Sequence, residues 1–167
     1  MLTSHELFGF MSPALANDIL NFAYESDKPV YKATMNGVAT ALRVRPVYLE
    51  RQPRAQRHVS MAQILSRPGL DTVSGGLIRA WLVQKHKAML IDFLHALGIQ
   101  NKDGVVDDLP ATMEDEKLKS AIETLLAKYP PEIVAVYLNA FNDMNEASWT
   151  NLKSLLESDA RLQLGAH

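Results

Sequence analysis

Cysteine is absent from the 167 residues, which removes disulfides, thiolate zinc sites, iron–sulfur clusters and cysteine nucleophiles together. A reducing, cytoplasmic setting is the expectation that follows. Also missing is any charge-free apolar run of about 18 residues, so no membrane span is expected. The N-terminal stretch MLTSHELFGFMSPALA lacks the basic start and sustained apolar segment of a secretory signal, although Ala14 to Ala16 superficially echoes a cleavage site. Alternating strand patterns are missing too. Between residues 33 and 84 lysine is absent, and there every basic residue other than histidine is arginine.

What is present describes a folded helical protein. Hydrophobic residues make up 47% and charged residues 22%, enough apolar surface for one sizeable core in a chain of this length. The expected organisation is a single helical domain over 1–167, with a lobe boundary at 98–112. The net charge of −2 hides a polarity: residues 1–102 carry twelve Lys and Arg against seven Asp and Glu, whereas residues 103–167 carry five against twelve. Halves of opposite sign suit a basic binding surface, or lobes that attract one another within or between molecules.

Helical periodicity dominates the chain. Ser12 followed by Pro13 is a start signal, because the serine oxygen accepts from orphan amides and proline has no amide to satisfy. The helix it opens should bury Leu15, Ile19, Phe22 and Ala23. Another is expected from Pro29 to Leu42, carrying Tyr31, Met35, Val38 and Leu42 on one stripe, and Gly37 weakens it only modestly. Pro46, Pro53 and Pro68 then cut the chain into short pieces. Between them, a helix from Arg54 to Ser66 places His58, Met61, Ala62 and Leu65 on one face and Arg54 and Arg57 on the other. The longest expected helix runs from Thr72 to Leu97; its part over 88–97 is apolar on every face and so expected to be surrounded by other helices. Thr112 with Asp115 resembles a capping box for a helix from Met113 to Tyr129. Pro130 and Pro131 force a restart, and Ser148 is the expected cap of a final helix. The expected fold is all-α: an irregular bundle of about seven to nine helices, with the 72–97 helix central and a C-terminal three-helix lobe beside it.

The segment RVRPVYLERQPRAQRH, residues 43–58, departs most from ordinary composition, with five arginines, one acid and no lysine. Arginine grips carboxylates and phosphates bidentately and tolerates partial burial better than lysine, which points to fixed pairing rather than a diffuse positive surface. Arg43, Arg45, Arg51, Arg54 and Arg57 are therefore the candidate anion- or partner-binding residues. Elsewhere, Asp92 and His95 stand three apart on the apolar helix, a spacing at which a carboxylate can orient an imidazole. NKDGVVDDLP fails as a calcium loop because Ile99 and Pro110 occupy the positions of the first acid and the bidentate glutamate. The SGG at 74–76 lacks the spacing and lysine of a phosphate loop. No catalytic residue, metal or cofactor is assigned.

Three functions are compatible with these features. The leading expectation is a non-enzymatic cytoplasmic binding or scaffold protein that acts through protein contacts or self-association, away from membranes. Nucleic-acid or polyanion binding through 43–58 is the second. The third is an enzyme built on Asp92 and His95.

Overall fold

Local chemistry sets most of the helix starts. In the computed structural model, which describes residues 1–165, helix α1 (Ser4–Phe10) opens where the Thr3 amide donates to the Glu6 carboxylate at 2.8 Å. Helix α2 (Pro13–Ser26) opens at Ser12, whose hydroxyl accepts from the Leu15 amide at 3.2 Å. Asp27 does the same for Val30 at the head of α3 (Lys28–Leu42). Each such cap satisfies an amide that the helix cannot, and is worth about 1 kcal/mol. Next come α4 (Pro46–Glu50), α5 (Arg54–Leu65), α6 (Asp71–Lys85), α7 (Lys87–Ala96), α8 (Asp115–Lys128), α9 (Pro131–Asn145) and α10 (Thr150–Ser158), followed by a 3-10 turn over Ala160–Leu162. Among the described residues there are ten α-helices and no strand, so the fold is all-α. None of these helices is long and apolar enough to cross a membrane.

The chain divides into two compact units between Trp81 and Leu82, inside α6; residues 98–112 lie within the second unit. In the first, α2, α3 and α5 pack on one another, α1 lies on α5, and α4 lies on α3. Ile19, Leu20, Val38, Leu49, Met61 and Leu65 are wholly buried there, each contributing about 1.5–3 kcal/mol from removal of apolar surface from water. Gly37 does more than weaken its helix: a Cβ at this position would lie 2.7 Å from a Val73 methyl, so its absence lets the start of α6 approach α3. At the other end of that turn, the Asp71 carboxylate accepts from the His5 amide at 3.0 Å and faces the His5 Nδ1 at 2.9 Å.

In the second unit, α7 packs on α8, and α9 packs on α8, α10 and the 3-10 turn. Phe93, Tyr137, Phe141 and Trp149 form one aromatic cluster with ring centroids 5.1–5.9 Å apart. Most contacts within it are edge-to-face, the arrangement that the ring quadrupoles favour.

Four sequence expectations change. The 72–97 span is divided at His86, whose φ of −117° and ψ of 29° leave the helical range. Within 88–97, Ala88 and His95 are exposed; the helix buried on every face is instead α9, over Val134–Phe141. Helix α8 starts at Asp115 after Glu114, so Thr112 lies outside it. Helix α10 starts at Thr150, two residues past Ser148. Burial of the Trp149 ring, whose Nε1 donates to the Pro110 carbonyl at 2.9 Å, fixes this last boundary in place of a serine cap.

The 98–112 connector contains a tight reversal. Lys102 and Val105 exchange backbone hydrogen bonds at 2.9 and 3.0 Å around Asp103 and Gly104, both with positive φ, as a type I′ turn requires. The Asn101 side chain accepts from the Gly104 amide at 3.0 Å. Gly104 is needed for a second reason: a Cβ there would sit 2.8 Å from that of Leu90 on α7.

Candidate functional site

The five arginines separate into two groups. Arg54 and Arg57 are held within the first unit. The Arg54 guanidinium lies 4.6 Å from the centre of the Tyr24 ring and 3.6 Å from the Glu25 carboxylate. Arg57 donates through Nη1 to the Tyr31 hydroxyl at 2.9 Å and through Nη2 to the Gln52 carbonyl at 3.2 Å. Since an arginine only donates, the Tyr31 oxygen accepts from it and passes its own proton toward His58 Nε2, 2.8 Å away. That places the proton of neutral His58 on Nδ1. Tyr24, Tyr31 and His58 pack edge to face, with centroids 5.3–6.2 Å apart.

The electrostatics of this cluster favour neutral rings. His58 is buried, and burial, aided by the charges of Arg57 and Arg54, pushes its pKa down to about 4. Burial also raises the Tyr31 hydroxyl above its ordinary value, against the opposing pull of Arg57. Arg57 therefore ties the α4–α5 turn to α3 through a polar relay. The sequence placed Tyr31 and His58 in the core but gave no sign of their link to Arg57, because 26 residues separate Tyr31 from Arg57.

Arg43, Arg45 and Arg51 form the other group. All three are exposed and make no side-chain hydrogen bond or ion pair among the described residues. Arg43 ends α3 with φ 58° and ψ 40°, a left-handed position that glycine occupies about 1 kcal/mol more cheaply. The Val44 amide reaches back to the Ala39 carbonyl at 3.0 Å, completing that stop. Arg45 precedes Pro46 at the head of α4, and Arg51 follows its end. Within α4, Leu49 is fully buried, whereas Val47 is 42% and Tyr48 57% exposed. A buried leucine thus anchors a short helix that presents an apolar and an aromatic side chain amid unpaired guanidinium groups. Sequence reading found the arginines but not this division, which depends on where α4 is anchored.

Asp92 and His95 are not brought together as a hydrogen-bonded pair. The Asp92 carboxylate accepts from Lys128 Nζ at 2.8 Å and from the Tyr129 hydroxyl at 2.5 Å, and His95 is exposed. Those two partners hold the Asp92 carboxyl below its ordinary range. Asp92 therefore fastens the end of α8 to α7. His86 sits at the break before α7 and His95 near the end of that helix, and among the described residues no three His, Cys, Asp or Glu side chains converge as metal ligands would.

A concavity is also present wholly within the second unit. The last turn of α6 and the 102–105 reversal enclose a cleft of about 450 Å³, lined by Val83, Lys87, Lys102, Asp103, Val105 and Asp107 among others. Compared with known proteins, the chain matches no family model, no curated protein and no solved structure.

Proposed function

We propose that the protein is a non-enzymatic binding module of the cytoplasm, and that the connector from Arg43 to Arg51 is its docking surface for an acidic segment of a protein partner. The observation that carries this reading is the association of three exposed arginines, free of partners among the described residues, with exposed Val47 and Tyr48 on a helix pinned by Leu49. Arginine and tyrosine are enriched at protein interfaces and lysine is depleted, because a planar guanidinium and an amphipathic ring gain contact area at modest ordering cost. A surface built for nucleic acid alone would more often combine several stacking aromatics; this connector has one. The cytoplasmic assignment draws on the absence of cysteine.

The test is binding of a fluorescent peptide that alternates glutamate with leucine, compared with a single-stranded oligonucleotide of equal charge. Saturable peptide binding is expected, weakened at least about tenfold by Arg45→Glu with Arg51→Glu, since each reversal sets like charges against one another. Tyr48→Ala should weaken it while leaving its salt dependence unchanged. Peptide binding that ignores both sets of substitutions would remove this surface from consideration. Arginine-dependent binding of the oligonucleotide alone would replace the reading with nucleic-acid recognition.

A further inference from the structure

The cleft beside the 102–105 reversal offers apolar walls and carboxylates that suit the arginine connector. Val83 and Val105 offer apolar walls, and Val105 is 36% exposed. Asp103 and Asp107 line the same cleft, and among the described residues neither makes a side-chain ion pair. Exposed Asp108, Glu114 and Glu116 continue the negative charge from there into the first turn of α8. Lys87 and Lys102 also line the cleft, where an ammonium group can lie against an aromatic face. The rim is held in shape by Gly104, seated directly against Leu90.

We infer that the acidic partner is a second copy of this chain, with Tyr48 entering that copy's cleft and Arg45 and Arg51 meeting the carboxylates at its rim, Asp103, Asp107 and the adjacent exposed Asp108. This rests on the binding function proposed above and names the partner. A volume of about 450 Å³ accommodates one aromatic side chain, since clefts of about 300–1,000 Å³ hold whole small ligands. Tyr48 supplies an aromatic body with a polar tip, suited to a cleft with apolar walls and charged edges. Charge points the same way: residues 2–81, which hold the arginine surface, carry nine Lys and Arg against six Asp and Glu, whereas residues 82–166, which hold the cleft, carry eight against thirteen. Two unlike surfaces on each copy permit a closed dimer with two reciprocal contacts, or an open chain with one repeated contact.

A charge exchange followed by analytical ultracentrifugation of the nuclease-treated full chain tests the inference. The unmodified protein should sediment faster than a monomer at low salt and as a monomer at high salt. The double variants Arg45→Glu/Arg51→Glu and Asp107→Lys/Asp108→Lys should each associate at least about tenfold more weakly. Both alter exposed side chains, and circular dichroism is expected to show unchanged helicity. Mixed in equal amounts, the two variants should associate again, because native arginines then meet native aspartates and the introduced glutamates meet the introduced lysines. A monomeric unmodified protein at low salt, association indifferent to the substitutions, or a mixture that stays monomeric would each overturn the inference. So would association lost on nuclease treatment, which would identify a nucleic-acid bridge. The Asp107→Lys/Asp108→Lys variant retains the arginine connector, so its binding of the glutamate–leucine peptide decides the broader reading separately.

Discussion

At the scale of single residues, the most constrained chemistry is the contact of Arg57 with Tyr31 and His58. Tyr31→Phe would leave His58 Nε2 and Arg57 Nη1 without their shared oxygen in a buried setting. A loss of about 1–3 kcal/mol is expected in urea denaturation, and a change below about 0.3 kcal/mol would show that the relay adds nothing. His58 also gives the protein a pH dependence with a definite sign. Its folded pKa of about 4 lies below the ordinary value of 6.5, so between these values the unfolded chain binds a proton that the folded chain refuses. Stability contributed by neutral His58 is complete above pH 6.5 and falls as pH drops toward 4, by up to about 3 kcal/mol. The carboxylates held low by their partners, such as Asp92 and Asp71, lose their contributions only below about pH 4. Between pH 4.5 and 6.5 the difference between the unmodified protein and His58→Gln therefore isolates the histidine. Parallel curves for the two proteins across that range would contradict its neutral burial.

At the scale of elements, close approach and interhelical pairing decide what propensity leaves open. Gly37→Ala improves helix propensity by about 1 kcal/mol in an exposed helix, yet here the new methyl meets Val73 at 2.7 Å. The expected outcome is a net loss of about 1–2 kcal/mol, recovered when Val73→Ala is added. Stabilisation by Gly37→Ala alone would show that α6 moves away from α3 at little cost. Between α7 and α8, Asp92→Asn weakens the hydrogen bond from Tyr129, and a loss of about 1–2 kcal/mol is expected. A double-mutant cycle with Tyr129→Phe checks it, with a coupling energy near 1 kcal/mol as the expected result. His95→Ala, at an exposed position, should change stability by less than about 0.5 kcal/mol.

At the scale of the whole molecule, each compact unit encloses its own tryptophan. Trp81 donates to Asp18 at 3.3 Å in the first, and Trp149 to the Pro110 carbonyl at 2.9 Å in the second. Trp81→Phe and Trp149→Phe backgrounds thus make fluorescence report on one core at a time. Tyr31→Phe is expected to lower the midpoint read by Trp81, and Asp92→Asn the midpoint read by Trp149, each leaving the other in place. Coincident shifts of both transitions would show that the two units unfold as one. The self-association proposed above also belongs to this scale: attraction between oppositely charged surfaces of two copies should weaken as salt shortens the screening length to about 8 Å at physiological strength.

The sequence by itself determined the helical class and several boundaries, because those depend on neighbouring residues. Ser12 with Pro13 opens α2, Arg54 begins α5 after Pro53, and Pro130 and Pro131 separate α8 from α9. It also singled out the arginines of 43–58 as the unusual chemistry of the chain. Only the tertiary structure decided which of them are engaged, because the Tyr31 and Tyr24 that hold Arg57 and Arg54 come from distant turns. The break at His86 is of the same kind: Gln84, Lys85 and Lys87 are good helix formers, and the interruption lies beside the place where Gly104 closes on Leu90 and the Lys87 carbonyl. Asp92 was legible as a carboxylate in an apolar helix, but its partners Lys128 and Tyr129 lie 36 and 37 residues away. Local spacing specifies which side chains share a helix face; packing specifies what each face meets, and through it which charges are paired.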